Sequence, residues 1–142
     1  MTNPRISFEF FPPQSLDASF KLFETVQALA PMSPEFVSVT YGAGGTTRKL
    51  THDAVGTIHR NYGLKVAAHL TCVDATRAET LEIAAAYAEA GVTEIVALRG
   101  DAPKGATRFT PHPDGFANSV ELVEALAKTG KFKLRVGAYP EP

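Results

Sequence analysis

The sequence has little cysteine, almost no net charge and no long hydrophobic run, and each shortage removes a class of protein. Its one cysteine, Cys72, cannot close an internal disulfide, so nothing points to an oxidising compartment. With 14 Lys and Arg against 15 Asp and Glu the formal charge is -1, so the basic excess expected of a protein bound to nucleic acid or an anionic membrane is missing. The opening MTNPRISFEF lacks the apolar centre of a signal peptide, and later apolar stretches are broken well short of the ~20 residues that span a bilayer. His52, His59, His69 and His112 form no HxH, HExxH or Cys-rich cluster, so no metal site is expected. These absences describe a cytosolic protein that binds small molecules. The 44% apolar content argues against disorder, and 142 residues suit one domain, taken as 1–142.

What is present is a repeating unit. Short apolar runs begin at Ile6, Phe36, Val66, Ile95 and Leu134, with 29 to 30 residues between successive starts and a longer last step. One helical pattern fills each gap. The first should start near Ser15, bury Leu16, Phe20, Phe23, Val26 and Leu29, and stop at Pro31 and Pro34. A second from about Thr47 to Tyr62 should bury Leu50, Ala54 and Ile58. Thr76 and Glu79 form a capping box for a third, with Leu81, Ala84, Ala85 and Ala88 inward. A fourth covers Asn118 to Lys128 with Val120, Val123 and Ala127 inward. Gly63, Gly91 and Gly130 are placed to end helices two, three and four.

Strands alternating with single helices predict an α/β protein with a parallel sheet. A (β/α)8 barrel spends about 31 residues per unit, close to the observed repeat, so the chain reads as four βα units plus strand five, the first half of a TIM-type barrel. A five-stranded flavodoxin-like sheet is the rival, and it would need a fifth helix. Polar side chains favour the barrel. Alternation puts Ser7 and Glu9 on one face of strand one, Ser38 and Thr40 together on strand two, His69 and Thr71 together on strand three, and Arg135 with Gly137 on strand five. These polar groups are expected at the C-terminal strand ends, where ligands bind in such folds.

The strings SFEFFPP, FVSVTYGAGG, HLTC, VALRGD and GAYPE, in this order and spacing, resemble the N-terminal half of bacterial methylenetetrahydrofolate reductases. The resemblance covers essentially the whole chain. It implies a flavin-dependent (β/α)8 barrel that reduces 5,10-methylenetetrahydrofolate to 5-methyltetrahydrofolate with NADH or NADPH, using FAD, in the one-carbon metabolism that supplies methionine. Catalytic domains of that family are about twice as long, so strands six to eight are expected to be missing. With its two end strands open, the chain is expected to form a homo-oligomer.

By that resemblance Glu9 is the general acid that protonates a folate nitrogen and opens its five-membered ring. Desolvation inside a barrel raises a carboxyl's pKa, which suits a proton donor near neutral pH. The plainer reading is a structural carboxylate paired with Arg99 or Arg135. Asp101 is implied to lie against flavin and folate, favouring a cationic iminium, or is simply a turn cap. Thr40, Tyr41 and Ala43 are implied to approach the nicotinamide or flavin ring. The glycines around Ala43 fit neither GxGxxG nor GxxxxGK[ST], and a flexible turn explains them as well. His69 is implied to touch flavin, although a lone strand histidine is more often a hydrogen-bonded core residue. Arg99 and Gly100 are implied to lie beside the flavin, the arginine as a donor to its oxygens and the glycine permitting close approach. Tyr139 and Phe116 are implied to pack on flavin, with Ala117 lining its adenosine side.

Overall fold

The computed structural model describes residues 3–41, 48–102 and 105–138. Five strands alternate with four helices. They are β1 (Ser7–Phe10), α1 (Leu16–Leu29), β2 (Phe36–Val39), α2 (Arg48–Tyr62), β3 (Val66–Thr71), α3 (Arg77–Glu89), β4 (Glu94–Leu98), α4 (Ser119–Thr129) and β5 (Lys133–Val136). A short 3-10 turn, Ala30–Met32, carries Pro31 directly after α1.

Local chemistry sets the helix ends. Ser15 accepts a hydrogen bond from the Ala18 amide at 3.0 Å and so satisfies one of the free N–H groups that open α1. Thr76 and Glu79 form the capping box: the Thr76 Oγ1 accepts from the Glu79 amide at 3.1 Å, and Glu79 Oε2 accepts from the Thr76 amide at 2.9 Å. Asn118 caps α4 through the Glu121 amide. Gly130 then closes α4 with φ 68°, a left-handed conformation that costs a residue with a Cβ.

All four strand pairings are parallel, and the strands lie in chain order β1-β2-β3-β4-β5. That order excludes the flavodoxin-like alternative, in which the first strand is placed between the second and third. A sequential parallel sheet with one helix per crossover is the arrangement of part of a (β/α)8 barrel. Glu9 is in register with Ser38, Ser38 with Ala67, Ala67 with Glu94 and Glu94 with Lys133, so one parity of residues shares the inner face across the sheet. The other parity is apolar. Phe10, Val37, Val39, Val66, Ala68, Leu70, Ile95 and Ala97 meet Val26, Ala54, Val55, Ile58, Ala84, Tyr87, Leu122 and Leu126 from the helices.

The helix faces differ in part from the expectation. Leu16 and Phe20 are exposed at 73% and 61%, Val120 at 73%, and Leu50 lies on the surface. Ala85 and Ala127 are also exposed. The inward positions are instead Val26 with Leu22, Phe23 and Leu29 on α1, Thr51 and Val55 beside Ala54 and Ile58 on α2, Thr80 and Tyr87 beside Ala84 on α3, and Leu122 and Leu126 on α4. A helical stripe is broad enough that its centre can turn by a residue, and docking on the sheet chooses the centre. Position in the sheet adds to this. Strands β1 and β5 are its two ends, so α1 and α4 flank it and show apolar side chains on their outer sides.

A second departure lies at the N-terminal end of β4. Glu94 opens that strand and is 2% exposed, although polar groups were expected at C-terminal strand ends only. It is held by Arg135, whose Nε and Nη2 reach Oε2 at 3.3 and 3.2 Å, while Lys133 Nζ lies 3.9 Å from Oε1. The Arg135 guanidinium also lies 3.7 Å over the Phe36 ring centroid, tying β5 to β2 across the inner face. Removing one partner of a buried pair leaves the other charge uncompensated, at a cost of about 3–5 kcal/mol. Glu94→Gln is therefore expected to lower stability by about that much in urea denaturation, and Lys133→Met by less than ~1 kcal/mol because Lys133 is exposed. Equal effects would show that the buried pair is not what secures β5.

Candidate functional site

Turning polar residues inward on adjacent strands makes a trough along the inner face, with a volume of about 510 Å³. Glu9 and Ser38, His69, Val96, Leu98, Arg135 and Gly137 all line it. The nearest neighbour of the Glu9 carboxylate is His69: Nε2 lies 3.0 Å from Oε1. Ser38 Oγ donates to the same oxygen at 3.4 Å. Glu9 and His69 meet diagonally, because the register sets Glu9 level with Ser38 and Ala67, and His69 is two residues further along β3. The contact is close but bent, and Nε2 makes no hydrogen bond of ordinary geometry.

This arrangement settles the ion-pair question. Neither expected arginine pairs with Glu9, since Arg135 is engaged by Glu94 and Arg99 stacks over Phe109 with its guanidinium 4.7 Å from the ring centroid. The desolvated carboxyl expected at Glu9 is also not seen, for its side chain is 58% exposed on end strand β1. The imidazole is the buried member. Burial pushes the His69 pKa below its ordinary value, and the Glu9 carboxylate works in the opposite direction.

Around the C-terminal strand ends the remaining candidates divide. Thr71 is buried on the same inner face as His69, with Oγ1 lacking a hydrogen-bond partner. Gly100 follows β4 with φ 88°, and a Cβ there would fall 2.2 Å from Val73 Cγ2, so its lack of a side chain makes room for Val73. Arg99 and Asp101 beside it are exposed, and Arg99 Nε donates to the Gly100 carbonyl at 3.3 Å. The Cys72 thiol is buried, donates to the Arg99 carbonyl at 3.2 Å, and has its pKa pushed up by burial, which is the environment of a packing residue.

Thr40 directly follows β2, and its carbonyl accepts from Thr51 Oγ1 at 2.9 Å. Tyr41 turns the other way. Its hydroxyl is buried near Arg48 and Tyr87, and burial raises its pKa. Phe116 is 4% exposed in the core, with the Arg77 guanidinium 5.3 Å over its ring. Ala117 is exposed and its amide donates to Glu121 Oε2. The loop carrying both is pinned to the start of α3 by Arg77, through its amide to Asp114 O and its Nε to Gly115 O. Ala43 and Tyr139 lie outside the described residues.

Ser38 was read from parity as an inward polar residue but given no role, and Glu94 was missed. Parity could have found Glu94 as the inward residue two before Val96. Among the described residues no cluster of His, Cys, Asp and Glu could hold a metal ion, and no helix is long and apolar enough to cross a membrane.

A sequential parallel βα sheet with a polar trough along one face defines an α/β chain of the partial-barrel type. The family model of methylenetetrahydrofolate reductase matches residues 1–142. The chain is 45% identical over 136 residues to 5,10-methylenetetrahydrofolate reductase of Pectobacterium carotovorum subsp. carotovorum, and that match covers 96% of this chain and 44% of the relative. It is 42% identical to the Escherichia coli K12 protein of the same name, with the same coverage. Methylenetetrahydrofolate reductase (NADH) 1 of Arabidopsis thaliana is 34% identical, over 95% of this chain and 23% of its own length. The chain belongs to the methylenetetrahydrofolate reductase family, and it spans less than half the length of the curated relatives it matches.

The buried histidine makes stability depend on pH. With a folded pKa below the ordinary 6.5, the unfolded chain binds more protons between the two values, so stability falls as pH drops through that window. His69→Gln carries no titrating group. Its loss of stability between neutral and mildly acidic pH, read from urea midpoints, should be smaller than that of the wild type, and an unchanged slope would place the acid sensitivity elsewhere.

Proposed function

We propose that residues 1–142 form one domain that supplies the proton-donating wall of a flavin-dependent barrel reducing 5,10-methylenetetrahydrofolate to 5-methyltetrahydrofolate with NADH or NADPH. The observation that carries this reading is Glu9 in a trough with His69 and Ser38, on strands of a chain that belongs to this family. Glu9 gives a proton to a nitrogen of the folate's five-membered ring. The C–N bond then breaks with its electron pair going to that nitrogen, which leaves a cationic iminium for reduction and Glu9 as carboxylate. Asp101, exposed at the end of β4, places negative charge where such a cation benefits from it.

The residues present fit FAD. Oγ1 of Thr71 is a buried polar atom without a hydrogen-bond partner among the described residues, and the exposed Arg99 guanidinium has donors to spare for phosphate or ring oxygens. FAD, when bound, would accept electrons from the nicotinamide nucleotide and pass them as hydride to the folate. Thr40 and Gly100 stand at strand ends from which backbone can border such a ligand. A cytosolic setting and small-molecule partners suit this chemistry.

The proposal is tested in a complete barrel that carries this segment. Glu9→Gln keeps the size of the side chain but cannot donate a proton, so nicotinamide oxidation with a quinone acceptor should persist while folate turnover falls by ~10²–10⁴. Near wild-type folate turnover would remove Glu9 from the role. We further propose that the isolated chain associates as a homo-oligomer, with β1 and β5 as open strands and Leu16, Phe20 and Val120 exposed on the flanks. Sedimentation should show association that increases with concentration. A monomer at all concentrations that also retains stoichiometric FAD through gel filtration would contradict it.

A further inference from the structure

We propose that His69 and Ser38 are positioning residues for Glu9: they hold its Oε1, so that Oε2 is the oxygen that carries the transferable proton. This deepens the proposed function and rests on Glu9 being the acid of that reading.

The need for positioning is plain from the location of Glu9. It stands on an end strand with its side chain more than half exposed, on a stem whose rotation nothing covalent limits. A proton donor held to no fixed geometry loses much of the benefit of proximity. Of its two carboxyl oxygens, only Oε1 is engaged among the described residues, by His69 Nε2 at 3.0 Å and Ser38 Oγ at 3.4 Å. The basic groups of β5 do not compete for it, since Arg135 and Lys133 both turn to Glu94.

Burial gives the contact its direction. His69 is 7% exposed, and a buried ring N–H without a partner is costly, so an Nε2–H is best directed at the carboxylate oxygen 3.0 Å away. An imidazole protonated at Nε2 turns the positive end of its N–H toward Oε1, in a bent contact at 3.0 Å. The opposite tautomer would set a nitrogen lone pair 3.0 Å from a carboxylate oxygen, which is repulsive whenever Glu9 is ionised. A proton on Oε1 would in turn meet the Nε2–H and Ser38 hydroxyl donors, whereas on Oε2 it meets none. After the proton leaves Oε2, the carboxylate charge is shared with an oxygen already facing two donors. His69 thus stays neutral and takes no proton itself.

The test uses the 142-residue chain and nuclear magnetic resonance, with no turnover involved. Long-range proton–nitrogen correlations of the His69 ring near neutral pH should show the tautomer protonated at Nε2. Glu9→Gln removes the charge that favours the imidazolium, so His69 should titrate at lower pH than in the wild type, and Glu9→Asp, with a shorter stem, should fall between them. Two results would overturn the proposal: the Nδ1-protonated tautomer, or one titration midpoint shared by all three proteins. Should Glu9→Gln fail to fold, the wild-type tautomer and the Glu9→Asp shift decide alone. Failure here leaves Glu9 free to be the acid, while unimpaired folate turnover in Glu9→Gln would remove the acid and leave the clamp standing.

Discussion

Two-residue alternation, held in register across five parallel strands, is the constraint on which the rest of this structure depends. Each strand must bury both faces, one under helices and one toward the concavity, and successive side chains alternate between them. Because Glu9, Ser38, Ala67, Glu94 and Lys133 share a level, a change of parity in any one strand would send its apolar residues into the trough and its polar residues under the helices. The apolar parity supplies the core, from Val37 and Val39 through Leu70 to Ile95. The polar parity supplies everything with chemical potential.

That inner face carries two polar groups in the same rows of the sheet but on different strands. On β4 and β5, Glu94 and Arg135 form a buried ion pair capped by Phe36, which fastens the last strand and engages the cations of β5. On β1 to β3, Glu9 meets His69 and Ser38, with no Lys or Arg paired to it among the described residues. With Arg135 and Lys133 turned to Glu94, the Glu9 carboxylate is left to the imidazole and the hydroxyl.

The two ends of the described sheet set what its flanking elements expose. Leu16, Phe20 and Val120 are apolar at positions where a barrel helix has neighbours on both sides, and here α1 and α4 each flank an end of the sheet. The exposure of Glu9 belongs to the same account, because β1 is an end strand and the trough has one wall. A carboxyl enclosed from both sides would be desolvated in the way the sequence suggests.

The sequence by itself determined the elements, their order and their parity. The repeat of about thirty residues, the caps at Ser15, Thr76 and Asn118, and the alternation in SFEF and VAAHLT are local signals, written within a few residues and read without a partner. The motif strings also carried the family. Tertiary structure decided which side of a broad apolar stripe is buried, as at Leu16 and Phe20, because docking and not periodicity orients a helix. It decided who pairs with whom: Glu9 with His69 and Arg135 with Glu94, where sequence spacing had offered Glu9 to an arginine. Such pairings join residues 41 or more apart in the chain, and they follow from strand stagger and depth within the sheet, which no local pattern encodes.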